Sequence, residues 1–225
     1  MNPRPSVEIP VATPIRILHV LRSIDPVDGD LPRMAVRMAV EQVSAGCHVT
    51  VVTMDTADVM VHAQAEYGGL PGYNRLHIIH SHDRASLAYV FGSNAMQWLR
   101  PMVPMVRILH VHGMWEALLH RAARLGRRNG VPVVVTPHSN RPPPAPAWLG
   151  GPLRAALRVG WSDMLRQAAL VHVLDGDDAR HLEHLGVRAN VRCIPDGESM
   201  ARRILEEYPV GGESKGSPAA DLRLK

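Results

Sequence analysis

R-I-L-H-V-H-G-M-W, residues Arg107–Trp115, is the stretch on which the fold turns. Ile108, Leu109 and Val111 form a short apolar run that stops at Gly113, and the sequence turns helical directly after Trp115. A strand buried on both faces reads this way, and the helix that follows it predicts a parallel sheet. His110 and His112 sit at the strand's carboxyl end, the sheet edge where open α/β folds place their ligands. Val133–Thr136 ends the same way, at Pro137-His138-Ser139. The two strand ends are expected to face one cleft.

The pattern extends in both directions. Residues 1–14 hold four prolines and no periodicity, and read as a loose arm. Ile15–Leu21 is a strand, Arg22–Gly29 a loop, and Leu31–Ser44 a helix with Leu31, Met34, Ala35, Met38 and Val43 on one stripe. His48–Thr53 is the next strand. Asp55–Asn74 shows only turn signals, followed by a strand at Leu76–Ile79 and a helix over Ala85–Leu99, with Pro101 and Pro104 breaking the chain. Helix Met114–Arg128 is expected to bury Leu118, Leu119, Ala122 and Leu125 and to turn His120, Arg121, Arg124, Arg127 and Arg128 outward. A proline-rich loop, Arg141–Gly151, leads to a helix from Pro152 to Ala169 and a strand at Leu170–Leu174. Asp175 caps a helix that ends at Gly186, and Val191–Ile194 is the last strand. Ala201–Glu207 reads as helical and Pro209–Lys225 as a polar, disordered tail. Strands alternating with helices give one α/β domain over 15–197, a Rossmann-like doubly wound, mostly parallel sheet with helices on both faces.

Composition narrows the function. The 225 residues are 46% hydrophobic with a formal net charge of +4, and the only lysines are Lys215 and Lys225. Four Trp, four Tyr and one Phe, with no dense basic run, make nucleic acid a poor partner. No apolar run reaches the 18 or so residues of a membrane span, and Met1–Pro14 has no signal-peptide core, so a cytoplasmic protein is expected. Cys47 and Cys193 both fall in expected strands and read as buried free thiols. The thirteen histidines include His80-x-His82, His110-x-His112 and His181-x-x-His184, pairs without a matching further cluster, so no metal site is expected. The arginine face Arg121, Arg124, Arg127, Arg128 reads as a solvated helix surface, with peripheral contact to anionic lipid as the sharper alternative.

In the first βα loop, S-I-D-P-V-D-G-D (Ser23–Asp30), there is no G-x-G-x-x-G, so no dinucleotide cofactor is expected. Asp30 is placed to cap the following helix. Imidazoles at His112 and His138 can donate to a phosphate or a sugar hydroxyl, or accept a hydroxyl proton; strand-end histidines also simply tie loops to carbonyls. Trp115 fits a sugar face or the first buried position of its helix.

Taken together, I-R-I-L-H-V-L-R-S-I-D-P-V-D-G-D-L-P-R-M-A, L-H-V-H-G-M-W, V-V-V-T-P-H-S, A-A-L-V-H-V-L-D and V-R-C-I-P-D-G resemble, in order, the amino-terminal half of group-4 glycosyltransferases of the GT-B fold. The resemblance covers Ile15–Gly197 and implies the acceptor-side domain of enzymes that transfer a sugar from a nucleotide-sugar to a glycan or lipid-linked acceptor. It implies that Gly29 matches the first glycine of the family's loop near the donor phosphates, and that His138 lies near the transferred sugar as the catalytic position. It implies that His112, Gly113 and Trp115 form the acceptor side of the cleft, where Ser139 is also expected. The family's second loop glycine is Asp30 here, a carboxylate that would repel a diphosphate by about 1–4 kcal/mol. Its Pro-Asn-Gly is Pro195-Asp196-Gly197. Only 28 residues follow Gly197, so the donor-binding domain is expected to come from a separate subunit or to be missing through truncation. The chain alone is then not a competent enzyme. A non-catalytic module that binds a glycan or a partner is the alternative.

Overall fold

The computed structural model describes residues 14–82, 93–138, 160–184, 186–187, 190–195 and 200–208. Ser139, the loop Arg141–Gly151, Asp196-Gly197 and the tail from Pro209 lie outside them, as do the first residues of the arm and the first turns of the helices expected at Ala85 and Pro152.

Seven strands form one parallel sheet in the order β3-β2-β1-β4-β5-β6-β7. They are β1 (Arg16–Val20), β2 (His48–Thr53), β3 (His77–His80), β4 (Ile108–His112), β5 (Val133–Thr136), β6 (Leu170–Val173) and β7 (Val191–Cys193). The helices are α1 (Asp30–Ser44), α2 (Val59–Tyr67), α3 (Ser93–Met102), α4 (Ala117–Arg128), α5 (Gly176–His184) and α6 (Met200–Glu207), with a helical segment at 160–166. Strand order reverses between β1 and β4, the topological switch point at which open α/β sheets bind their ligands.

Side chains alternate across the sheet, so each strand feeds two cores. Ile17, Val49, Val51, Ile108, Val134 and Leu170 pack with α1 and α6. Leu18, Val20, Val52, Leu109, Val111, Val133, Val135, Val171 and Val173 pack with α3, α4 and the segment holding Met164 and Leu165. Both faces are therefore buried, which is why the central strands read as continuous apolar runs.

Several expectations need correction. Asp55–Asn74 holds α2 and a 3-10 turn at Tyr73–Arg75. Pro101 does not break the chain, because α3 continues through it to Met102. Pro sits near the helix end, and the missing amide bond falls where few further turns depend on it. Helix α4 begins at Ala117, so Trp115 precedes it. Arg127 is not turned outward: it is half-buried with Nη2 3.9 Å from Asp163. Cys193 is exposed, since β7 is an edge strand, while Cys47 is buried, and both thiols are free. The Asp175 cap is present, with Oδ1 accepting from Asp178 N–H at 2.8 Å.

Candidate functional site

Strand parity builds the site. On the face that meets α1 and α6, the apolar residues Ile17, Ile108, Val134 and Leu170 are each followed two positions later by a polar side chain: His19, His110, Thr136 and His172. His112 continues the β4 row, and His138 lies two residues past Thr136. The lower half of this face is thus aliphatic and its carboxyl half is polar. His19 and His110 are direct neighbours in the β1–β4 register.

These groups are hydrogen-bonded end to end. His138 Nε2 lies 3.4 Å from His112 Nδ1, and His112 Nε2 lies 2.8 Å from His19 Nδ1. His19 Nε2 meets Gln42 Oε1 of α1 at 2.7 Å, and Gln42 Nε2 donates to the Tyr208 hydroxyl at 2.9 Å. That hydroxyl is 2.7 Å from His110 Nδ1, whose Nε2 is 2.7 Å from Thr136 Oγ1. Thr136 Oγ1 is 3.1 Å from His172 Nδ1, and His172 Nε2 is 2.8 Å from the Ile194 carbonyl. Every side chain in the series except His138 is buried.

Burial penalises the charged imidazole and so favours the neutral form of His19, His110, His112 and His138. His19 is lowered to about 4, its bond to Gln42 opposing the shift, and His138 to about 3 with His172 adding to it. His110 and His112 lie well below the ordinary value, through burial first and neighbouring imidazoles second. Ring nitrogens of His19, His110 and His112 come within 4.8 Å of one another, a spacing that could hold a cation. Both nitrogens of each ring are already engaged by protein groups, so an ion would have to break those bonds; the donor set fits a hydrogen-bonded cluster better than a metal centre.

The resemblance-derived positions divide. His138 reaches the strand end half-buried, in the left-handed region with φ 57. His112 is only 1% exposed, so it does not face a cleft as expected; it stands behind His138. Its strand position leaves the ring between β1 and β5 under α1, and there it is hydrogen-bonded rather than solvated. Gly113 has φ 95, and a Cβ there would meet Leu119 Cδ1 at 3.1 Å. Trp115 is half-buried and pairs edge-to-face with Trp161, centroids 4.1 Å apart.

At the first βα loop, Gly29 is the N-cap of α1, with φ 105 and ψ −152. Asp30 is therefore the first helical residue and caps nothing. Its carboxylate is exposed, 4.0 Å from Arg33 Nη1, and still favourable at a helix N-terminus. The loop is braced from just past β2, where Asp55 Oδ2 accepts from Ile24 N–H at 2.8 Å, and within itself, where Asp25 Oδ1 accepts from Val27 N–H at 3.2 Å. Burial raises Asp55 above the usual carboxylate range.

Sequence reasoning missed His19, Gln42, Thr136, His172, Tyr208 and Glu116. The first four had a signal, a polar residue at the same parity near the ends of β1, β5 and β6 and one inward position of α1. Tyr208 had none, because only the tertiary docking of α6 on α1 brings it under β4. Glu116, the N-cap position of α4, is raised by burial and sits beside Gly113.

A search of curated protein sequences returns no match. Among solved structures, a glycosyltransferase from Rickettsia africae superimposes with TM-score 0.55 at 14% identity, over 82% of this chain and 43% of that one. A Glycyrrhiza uralensis protein solved with glycyrrhetinic acid 3-O-monoglucuronide gives 0.53 at 13% identity, over 81% and 49%. A UDP-N-acetylglucosamine 2-epimerase from Rickettsia bellii gives 0.51 at 10% identity, over 86% and 47%. The chain thus spans less than half the length of these structures, and shares with them the half-molecule fold. The family described as the glycosyl transferase 4-like domain matches residues 31–197, from the first turn of α1 to just past β7. The chain belongs to that glycosyl transferase 4-like family.

Proposed function

We propose that this chain supplies the acceptor-side half of a glycosyl-transfer site, with His138 beside the reacting hydroxyl and a nucleotide-sugar held by a second domain. The observation that carries the reading is the family match over 31–197 by a chain that covers well under two thirds of its structural neighbours. Transfer from a nucleotide-sugar chiefly requires charge positioned at the leaving diphosphate. On this chain the corresponding loop offers one helix N-terminus with the Asp30 carboxylate on it, a poor diphosphate clamp. The donor side therefore falls to another domain, which docks over the strand ends.

Among the described residues no helix is long and apolar enough to cross a membrane. A cytoplasmic site of action, with Arg124 and Arg128 of α4 available for peripheral contact with anionic lipid, belongs to the same reading.

The test is nucleoside-diphosphate release from UDP-glucose, UDP-N-acetylglucosamine and GDP-mannose. The chain alone releases none; co-expressed with a donor-type Rossmann domain encoded beside it, it does, and His138→Ala removes the activity. Turnover by the chain alone overturns the reading. Glycan binding by calorimetry, with no donor domain encoded nearby, would favour a binding module instead.

A further inference from the structure

The Ile194 carbonyl has no hydrogen to give, so His172 Nε2 must carry one and donate it. A neutral His172 then has a bare Nδ1, which accepts from the Thr136 hydroxyl. Thr136 has spent its one hydrogen and must accept from His110 Nε2–H. His110 Nδ1 is bare in turn and accepts from the Tyr208 hydroxyl, which accepts from Gln42 Nε2–H. Gln42 Oε1 accepts from His19 Nε2–H, His19 Nδ1 from His112 Nε2–H, and His112 Nδ1 from His138 Nε2–H. One carbonyl thereby fixes the direction of eight hydrogen bonds. No other arrangement of neutral rings satisfies them all, and it leaves His138 Nδ1 as a lone-pair acceptor.

We infer that Tyr208, Gln42, Thr136 and His172 are positioning residues whose hydrogen-bond relay locks His138 in its Nε2–H form, so that His138 Nδ1 receives a sugar hydroxyl and disfavours a phosphate oxygen. The hydroxyl assignment rests on the acceptor-side reading above; the relay itself does not. An acceptor atom attracts an O–H or N–H donor and repels the acceptor-only oxygens of a phosphate-monoester dianion, which has no O–H to give.

The relay is a lock rather than a proton exit. A proton shuttled inward from His138 would have to cross the Gln42 amide and would end on a backbone carbonyl, neither of which takes up a proton near neutral pH. The low proton affinity of His138 agrees: it orients a hydroxyl and does not store its proton. The weakest link is the 3.4 Å contact between His138 and His112, so His138 is the ring most readily turned by a ligand.

Histidine-labelled full-length chain at pH 7 tests this through long-range nitrogen–proton correlation spectra, which report each ring's tautomer. The expected result is Nε2–H at His19, His110, His112, His138 and His172. An Nδ1–H form or a doubly protonated ring at any of them overturns the relay. Two substitutions separate a relay from five rings set locally. Tyr208→Phe cuts it in the middle: His110 and His172 stay Nε2–H, while the Nδ1–H form becomes detectable at His19, His112 and His138. Thr136→Val cuts it lower and releases His110 as well. If neither changes a remote ring, there is no relay. The two cuts lie on different elements, so loss of folding in one leaves the other as the test, with amide dispersion as the control.

Titration of the wild-type chain at pH 8 with methyl glucoside and, separately, methyl phosphate, a dianion without an O–H, tests the ligand class. Shifts at His138 from the glycoside and not from phosphate are expected, and the reverse overturns the specificity. No shift from either counts against the acceptor-side reading, while the tautomer spectra still decide the relay.

Discussion

Gly29 shows how one residue limits what the first loop can become. Its φ of 105 and ψ of −152 belong to a region that side chains with a Cβ avoid, yet a Cβ built there meets nothing within 4 Å. The cost of Gly29→Ala is thus conformational and not a clash. Strain of about 1–3 kcal/mol outweighs the roughly 0.4–1 kcal/mol gained by stiffening the unfolded chain. We predict a net loss of about 1–2 kcal/mol, read from urea midpoints; an unchanged midpoint would mean the loop relaxes freely. Asp30, by contrast, is legible as a helix-start residue but sits one position inside the start. A glycine able to take φ 105 lets the helix begin earlier than an aspartate cap would. The histidines divide on similar grounds. His112 and His138 are recognisable from their place after β-runs, whereas His19 and His172 look like ordinary interior positions until the sheet aligns them.

At the level of elements, α4 lies unusually close to the sheet, and Gly126 is the reason. A Cβ there would come within 2.8 Å of both Leu109 Cδ2 and Val133 Cγ2. The helix gains up to about 1 kcal/mol from replacing glycine by alanine, but overpacking of this kind costs about 1–3 kcal/mol. Val133 sits on a central strand, and its branched side chain has little room to rotate away. Gly126→Ala should therefore destabilise despite its helix propensity, and a calorimetric scan showing a raised Tm would refute the close approach. Strands were the most legible elements, because burial on both faces leaves apolar runs of fixed length. Helix α2 was not legible. Its buried stripe is only Val59, Ala63 and Tyr67, and the apolar run Val59–Val61, with Val61 exposed, hides that helical spacing. Helix α6 reads clearly as amphipathic, but nothing in its sequence says that it docks on α1, where Glu41 Oε2 accepts from Ala201 N–H at 3.4 Å, or that Arg192 Nε of β7 reaches its Glu207 at 3.0 Å.

Across the whole molecule the polar chain ties β1, β4, β5 and β6 to α1 and to Tyr208 after α6, and it does so with rings that must stay neutral. Protonating Nδ1 of His19, His110 or His112 would evict the neighbour's donor and leave a buried charge beside other imidazoles. Acid should therefore unfold the protein early, and the sign follows from linkage. Below 6.5 the unfolded chain takes up protons on these histidines and the folded chain does not, so stability falls with falling pH from 6.5 down to about 4 for His19 and about 3 for His138. His110 and His112 shift in the same direction. Each buried ring contributes at most about 1.4 kcal/mol per pH unit within its window. Asp55 and Glu116 act the other way, because burial raises them and the folded state takes up their protons first. Two carboxylates only partly offset four imidazoles. The urea midpoint should be flat between pH 8 and 7 and drop steadily between pH 6.5 and 4.5. Tyr208→Phe should lower the midpoint at every pH, since it removes a buried donor without removing a titrating ring. A midpoint as high at pH 5 as at pH 7 would show that the histidine chain is solvated rather than sealed between the sheet and its two helices.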